Sequence, residues 1–270
     1  MLTLLAPGMP FPNEFPKGAL LLVDKPPGWT SFDVVNKIRY HLSRRLGIKK
    51  IKIGHAGTLD PLASGLLILC IGEYTRKIES FQVLPKEYTG VITFGATTPS
   101  FDLEKAVDTT FPTAHLTDAL LQALIRERFT GDIEQIPPMF SAVKVDGRRL
   151  YKNARTGQEM ELEPRRVHIA EFELGPLQPM PAAAAGDRPP AVLNKKGAPI
   201  YLHAEYAAGL QCSFRVACGK GTYIRSLAAD LGQAAGSGAY LSSLRRTRTG
   251  GYSVEEAWTV EGLAQWVQGS

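Results

Sequence analysis

Apolar residues are spaced along this chain in three ways, and each spacing predicts a different element. Two short unbroken runs, Ala19-Leu20-Leu21-Leu22-Val23 and Leu66-Leu67-Ile68-Leu69-Cys70-Ile71, read as buried strands. Alternation from Lys86 to Gly95 predicts a strand with Tyr88, Ile92 and Phe94 on one side and Glu87, Thr89 and Thr93 on the other. Helical spacing recurs three times. Val34, Val35, Ile38 and Leu42 follow a capping box that opens at Thr30 and closes on Asp33. Leu120, Leu121, Leu124 and Ile125 mark a helix over Thr117 to Phe129, with Gly131 past its end. Ile224, Leu227, Ala228 and Leu231 form the inward face of a helix opened by Gly219-Lys220-Gly221-Thr222.

Weaker patterns fill the gaps. Val167 to Leu174 is a strand by composition, as are Tyr201 to Tyr206 and Ser213 to Cys218, a pair expected to lie side by side. Asp146-Gly147 predicts a hairpin or a strand-to-helix corner. Glu73 to Ile78 is one helical turn, 97–111 a loop, and the chain closes on a strand near Gly251 to Val254 and a helix over Val260 to Val267. Residues 1–17, with four prolines and no period, predict a loose N-terminal arm. Residues 175–199, rich in Ala and Pro, predict a mobile insertion. Strands outnumber helices without alternating with them. The class is therefore α+β, a mixed, largely antiparallel sheet with flanking helices, in one domain over 18–270 without repeats.

Composition narrows the setting. The longest apolar run has six residues, far short of a membrane span, and no signal peptide is visible. Cys70, Cys212 and Cys218 lack metal-ligand spacing and suit a reducing cytoplasm. A net charge of +5 and clusters at Arg44-Arg45, Lys49-Lys50-Ile51-Lys52, Arg148-Arg149, Arg165-Arg166, Lys195-Lys196 and Arg245-Arg246-Thr247-Arg248 point to a polyanionic partner. For any single cluster a solvated surface is the favoured reading; six along one chain are harder to dismiss.

One loop carries the chemistry. In His55-Ala56-Gly57-Thr58-Leu59-Asp60-Pro61-Leu62-Ala63-Ser64-Gly65 a carboxylate sits in a Gly- and Pro-rich turn feeding a buried strand. Asp before Pro is also common in ordinary turns. Lys220, Tyr223 and Arg225 share the start of one helix, and an Arg near a carboxylate would keep it ionised. His55 could be a base, a ligand or a stacking surface, and no partner residue nearby suggests a metal. The glycine turn lacks the spacing of a triphosphate loop. A hydrolase would need a second acid; Glu73, Asp102 and Asp146 are available, with nothing in the sequence to place them beside Asp60.

At Gly54-His55-Ala56-Gly57-Thr58-Leu59-Asp60-Pro61-Leu62-Ala63-Ser64-Gly65 the chain resembles the bacterial tRNA pseudouridine synthases that act on uridine 55 of the T loop. Four further motifs agree in order: Leu22-Val23-Asp24-Lys25-Pro26, Lys86-Glu87-Tyr88, Pro137 to Lys144, and Gly219 to Leu227. The resemblance implies that family's fold, with a cleft for RNA, and no cofactor or metal. It implies Asp60 as the nucleophile, Tyr88 stacking on the target base and moving a proton, and Arg225 pairing with Asp60. Tyr223 would line the pocket, Lys220 would stand with it among the substrate-binding residues, His55 would wedge into the T loop, and Lys25 would support the active-site loop. Residues 131–166 would clamp the T-stem loop, giving Arg148, Arg149 and Tyr151 their place. Two features depart from the family's pattern. Only about sixteen residues follow Val254, too few for the RNA-binding extension many members carry, and the Ala/Pro-rich stretch near 178–192 is unusual.

The implied partner is the T-stem loop of tRNA, in a monomer that needs no membrane and no protein partner. Three other readings stand beside it: an RNA-folding chaperone that binds the T loop with catalysis incidental, a guide-RNA-dependent relative, and a carbohydrate hydrolase.

Overall fold

The computed structural model describes residues 3–138, 144–145, 148–149, 163–180, 191–203 and 206–269. The chain divides into two compact units, one of residues 1–88, 191–200 and 244–270, the other of 89–190 and 201–243. Its main strands are β1 (Gly18–Lys25), β2 (Ile53–His55), β3 (Ser64–Gly72), β4 (Lys86–Phe94), β5 (Gly131–Gln135), β6 (Arg165–Leu174), β7 (Leu210–Cys218), β8 (Ala239–Thr249) and β9 (Trp258–Thr259). Its helices are α1 (Ser31–Leu46), α2 (Ile78–Gln82), α3 (Asp118–Arg128), α4 (Ile224–Ala234) and α5 (Val260–Gln268). β4 and β8 each run through both units.

In the first unit the order is β9-β1-β3-β8. β1 and β3 pair antiparallel along their length, while β9 on β1 and β8 on β3 run parallel. The two apolar runs are covered on both faces. Leu21, Val23, Leu67, Leu69 and Ile71 meet Val34, Val35, Ile38 and Leu42 of α1 and Val260, Leu263 and Val267 of α5. Leu20, Leu22, Leu66, Ile68 and Cys70 pack on the opposite side with Phe81. Period-two geometry sends alternate side chains to opposite faces, so an unbroken apolar run is what two covered faces require.

The N-terminal arm is not loose. Leu5 is buried, its N–H donates to Leu20 O at 3.0 Å, and its carbonyl accepts from the Trp258 indole at 2.9 Å. The Trp266 indole donates to Met9 O at 2.6 Å, with Phe11 tilted against the Trp266 ring at 4.9 Å between centroids. Indole N–H groups in apolar surroundings need acceptors, and the arm supplies two.

In the second unit the order is β4-β7-β6-β5, with β7 and β5 antiparallel to β6. Leu121 and Ile125 of α3 and the predicted inward face of α4 are buried. β5 and β6 are hydrogen-bonded neighbours, so 136–164 is one excursion from a single strand pair. Within it Lys144–Val145 pairs antiparallel with Arg148–Arg149, the hairpin form of the expected turn.

Two expectations fail. Among the described residues Tyr201 to Tyr206 does not pair with β7: Pro199–Tyr201 pairs with Ala191–Leu193, and β7 takes β6 as a partner. Similar strand composition says nothing about which strands meet. Nor is the whole insertion mobile. Residues 191–200 belong to the first unit, where Lys195 pairs with Asp33 and the Leu193 carbonyl lies against Gly28 so closely that a Cβ there would stand 2.7 Å away.

Candidate active site

Asp60 lies in the first unit, between two pinned neighbours. The Leu59 N–H donates to the Ser31 hydroxyl at 2.8 Å, and that hydroxyl donates back to Leu59 O at 3.2 Å. Pro61 O accepts from Gly28 N at 2.9 Å and from the Lys25 ammonium at 3.2 Å. The Asp60 carbonyl accepts from Ala63 N at 3.2 Å. With the Pro61 ring limiting φ as well, the backbone that carries the half-buried carboxylate is held on both sides.

Lys25 is fully buried at the end of β1, and its ammonium donates to Trp29 O at 2.6 Å, Pro26 O at 3.0 Å and Pro61 O. Burial pushes its pKa down from 10.5 to about 7; the Asp60 charge opposes this and Arg246 adds to it. Lys25 thus supports the Asp60 loop through a backbone carbonyl. His55 ends β2 opposite Leu69 of β3. Burial first, then the Arg246 guanidinium, hold its pKa below the ordinary imidazole value, so it is neutral at neutral pH.

The sequence reading missed the residue that ties this loop to its sheet. Arg246 of β8 is 2% exposed, donates from Nε to Leu66 O at 2.7 Å, and reaches Gly57 O at 3.1 Å. Parallel register sets it opposite Gly65, whose φ is +104° and where a Cβ would stand 2.2 Å from Arg246 O. Glycine is therefore obligatory at 65, and its absent side chain lets β8 approach. Arg245 beside it is held by both Asp24 oxygens at 3.0 and 2.7 Å. Of this basic pair, Arg246 is unavailable to a polyanion and Arg245 is already partnered.

Tyr88, 9% exposed, is the third residue of β4. The strand is fixed on either side of it. The Lys86 ammonium caps Gln82 O and Leu84 O, and the Glu87 carboxylate accepts from Thr247 Oγ1 at 2.6 Å.

In the second unit Tyr223 is the N-cap residue of α4. The amide of buried Gln135 brackets its backbone: Tyr223 N donates to Oε1 at 2.7 Å, and Nε2 donates to Tyr223 O at 3.0 Å. Arg225 is 3% exposed, not a surface helix residue. It donates to Ser100 O at 3.0 Å, and Asp102 Oδ2 lies 3.9 Å from the same nitrogen. The stretch expected as a plain loop therefore orients this guanidinium, with Phe101 in the left-handed region at φ +60° between those two residues. Lys220 is exposed in the preceding turn. Arg148 and Arg149 form the return strand of the short hairpin, and Tyr151 lies outside the described residues.

Known proteins resemble this chain over most of its length. A sequence model of the TruB family pseudouridylate synthase (N terminal domain) matches residues 44–184, more than half of the chain. The chain belongs to the TruB family. A second model, the tRNA pseudouridylate synthase B C-terminal domain, matches residues 225–269 and so begins within α4. Among TruB relatives, tRNA pseudouridine synthase B of Phocaeicola vulgatus is 47% identical over 259 residues, covering 94% of this chain and 95% of its own. The protein of the same name from Flavobacterium johnsoniae is 46% identical, covering 91% and 94%. The fold also matches a chain in the crystal structure of a Cbf5-Nop10-Gar1 complex, with TM-score 0.58 and 28% identity. It matches another in an archaeal box H/ACA sRNP Nop10-Cbf5 complex, with TM-score 0.55 and 24% identity. This chain spans 59% and 53% of those two chains while 96% and 92% of it is covered. The TruB family's mixed, largely antiparallel sheet with flanking helices is the fold described above.

Proposed function

We propose that this protein converts uridine 55 in the T loop of tRNA to pseudouridine, with Asp60 as the nucleophile. Pseudouridine formation in tRNA follows from its family and from relatives that share nearly half its residues. The observation that carries the assignment of Asp60 is the anchoring of Leu59 and Pro61 on either side of it. A nucleophile must hold its attack geometry while the base leaves and returns.

The chemistry is an internal exchange. The target base is flipped out of the loop at a cost of a few kcal/mol. The Asp60 carboxylate adds to C6 of the ring or to C1′ of the ribose. The N1–C1′ bond breaks, the base turns, a C5–C1′ bond forms, the carboxylate departs, C5 gives up its proton to solvent, and N1 takes one up. Tyr88, Tyr223 and Arg225 take the roles the resemblance gives them. His55, neutral at neutral pH, presents an uncharged ring to the loop, which suits a wedge better than a phosphate contact. The reading takes a cytoplasmic monomer acting without cofactor or protein partner. The RNA-folding alternative gains no support from the relatives' names.

The test uses unmodified tRNA tritiated at C5 of its uridines. Wild type should release tritium, Asp60→Asn and Asp60→Ala should not, and a cytidine at position 55 should abolish release. Release by the Asp60 variants would remove the nucleophile assignment; no release by wild type would remove the activity.

A further inference from the structure

β5 alternates in burial, and its last inward position is polar where alternation asks for an apolar side chain. Asp132 and Glu134 are exposed, Ile133 is half-buried, and Gln135, on the same face as Ile133, is 2% exposed. A buried amide costs stability unless it is hydrogen-bonded, and Met or Leu would fill the same space without that demand. Both ends of this amide go to one residue: Oε1 accepts from Tyr223 N at 2.7 Å, and Nε2 donates to Tyr223 O at 3.0 Å. These two bonds hold the peptide planes on either side of the Tyr223 Cα, and so the direction in which its side chain leaves the backbone.

Helix α4 has little in its own sequence to fix where it starts. Its N-cap residue, Tyr223, makes no side-chain capping bond, and its first turn holds no acid. That turn carries a cation, Arg225, at the end of the helix where the dipole disfavours one. The start is fixed by neighbours instead. Gln135 holds Tyr223, the Ser226 hydroxyl donates to Ile136 O at 2.9 Å, and Gly219 N donates to His168 O at 2.8 Å. Gln135, Ile136 and His168 belong to the β5–β6 pair or follow it directly, and all of these residues lie in the second unit.

We propose that Gln135 is a positioning residue for the reaction, setting the direction of the Tyr223 side chain and the start of the helix that carries Arg225. The proposal rests on the reading above, in which both side chains serve the flipped base. Groups that meet a reacting base must stand ready at its geometry, and a small misplacement is costly in rate. Affinity for tRNA draws mainly on phosphate contacts, so loss of this aim lowers the rate at saturation and leaves binding nearly unchanged.

The experiment compares wild type with Gln135→Met, which keeps length and volume and removes both hydrogen bonds, and with Gln135→Glu, which keeps the acceptor for Tyr223 N. Ile133→Ala, on the same face of the same strand, controls for lost packing alone. Each is made in the full chain, and tritium release at saturating unmodified tRNA is set beside tRNA affinity by fluorescence anisotropy. Gln135→Met should slow release about 30-fold with affinity within about twofold of wild type, and Gln135→Glu should slow it only about fivefold. Ile133→Ala should unfold at lower urea and release tritium at the wild-type rate. Hydrogen exchange over residues 219–227 should quicken in Gln135→Met and not in Ile133→Ala. If Gln135→Met does not fold, Gln135→Glu decides. An unchanged rate, a loss seen only in affinity, or an equal loss of rate in Ile133→Ala overturns the proposal. No release by wild type removes the catalytic reading and the proposal together, an outcome told apart because wild type and variants then fail alike.

Discussion

Arg245-Arg246 and Lys50-Ile51-Lys52 look alike in the sequence and have opposite fates in the fold. Both are short basic stretches, and both count toward the charge that suggests a polyanion. Arg246 is buried, its guanidinium spent on the carbonyls of Leu66 and Gly57, and Arg245 is clamped by Asp24. Lys50 and Lys52 stay exposed around an open cleft. What separates them is the supply of acceptors. Arg246 enters a parallel register opposite a glycine, with two carbonyls in reach, whereas the lysines precede a short strand with only Ile51 turned inward. Net charge counts both pairs equally and so overstates the surface open to RNA.

Mutations can break or sharpen that contrast. The largest effect belongs to Arg246→Ala, which strands two carbonyls in the interior and should cost about 4 kcal/mol of stability by urea unfolding. Lys25 extends the contrast to a buried ammonium. Its folded pKa of about 7 lies below its ordinary 10.5, so between these values the unfolded chain holds the proton and the folded protein sheds it. The contribution of Lys25 to stability should therefore rise with pH across that window. The difference between wild type and Lys25→Met should grow by about 2–3 kcal/mol from pH 7 to 9.5, and a flat difference would mean the amine stays charged when buried. Arg245→Ala removes a partly exposed pair and should cost only about 0.5 kcal/mol, a value salt would shrink further. Lys50→Gln should leave stability within about 0.5 kcal/mol, since no acid among the described residues is ion-paired with that side chain.

Local patterning made much of the fold legible. The double coverage of β1 and β3, the Thr30 capping box and the inward face of α4 follow from residue spacing over a few turns, and the structure holds all three. Pairing between distant strands was not legible, because β7 could satisfy its hydrogen bonds equally well against Tyr201 to Tyr206 or β6. The Asp60 loop announced itself through its Gly-Pro content. Its supports did not. Ser31 looked like the first residue of a helix, Gln135 drew no reading at all, and the Ser100–Asp102 turn looked like a plain loop, because each works through backbone groups far off in the chain. The one available hint was Gly65: a glycine ahead of an apolar strand marks a close approach, but not by whom.

The Arg246 anchor also sets an order in time. Leu66 and Arg246 are 180 residues apart, and the unit they close includes the stretch from residue 244 onward. On a ribosome, which releases the chain from its N-terminus and lets units fold as they complete, residues 89–190 and 201–243 are all in hand before that stretch emerges. The loop carrying the acid is among the first parts made and among the last to be locked. A nascent chain stopped short of residue 244 should hold a structured second unit and an Asp60 loop still without its clasp, so competence for chemistry waits until Arg246 has emerged.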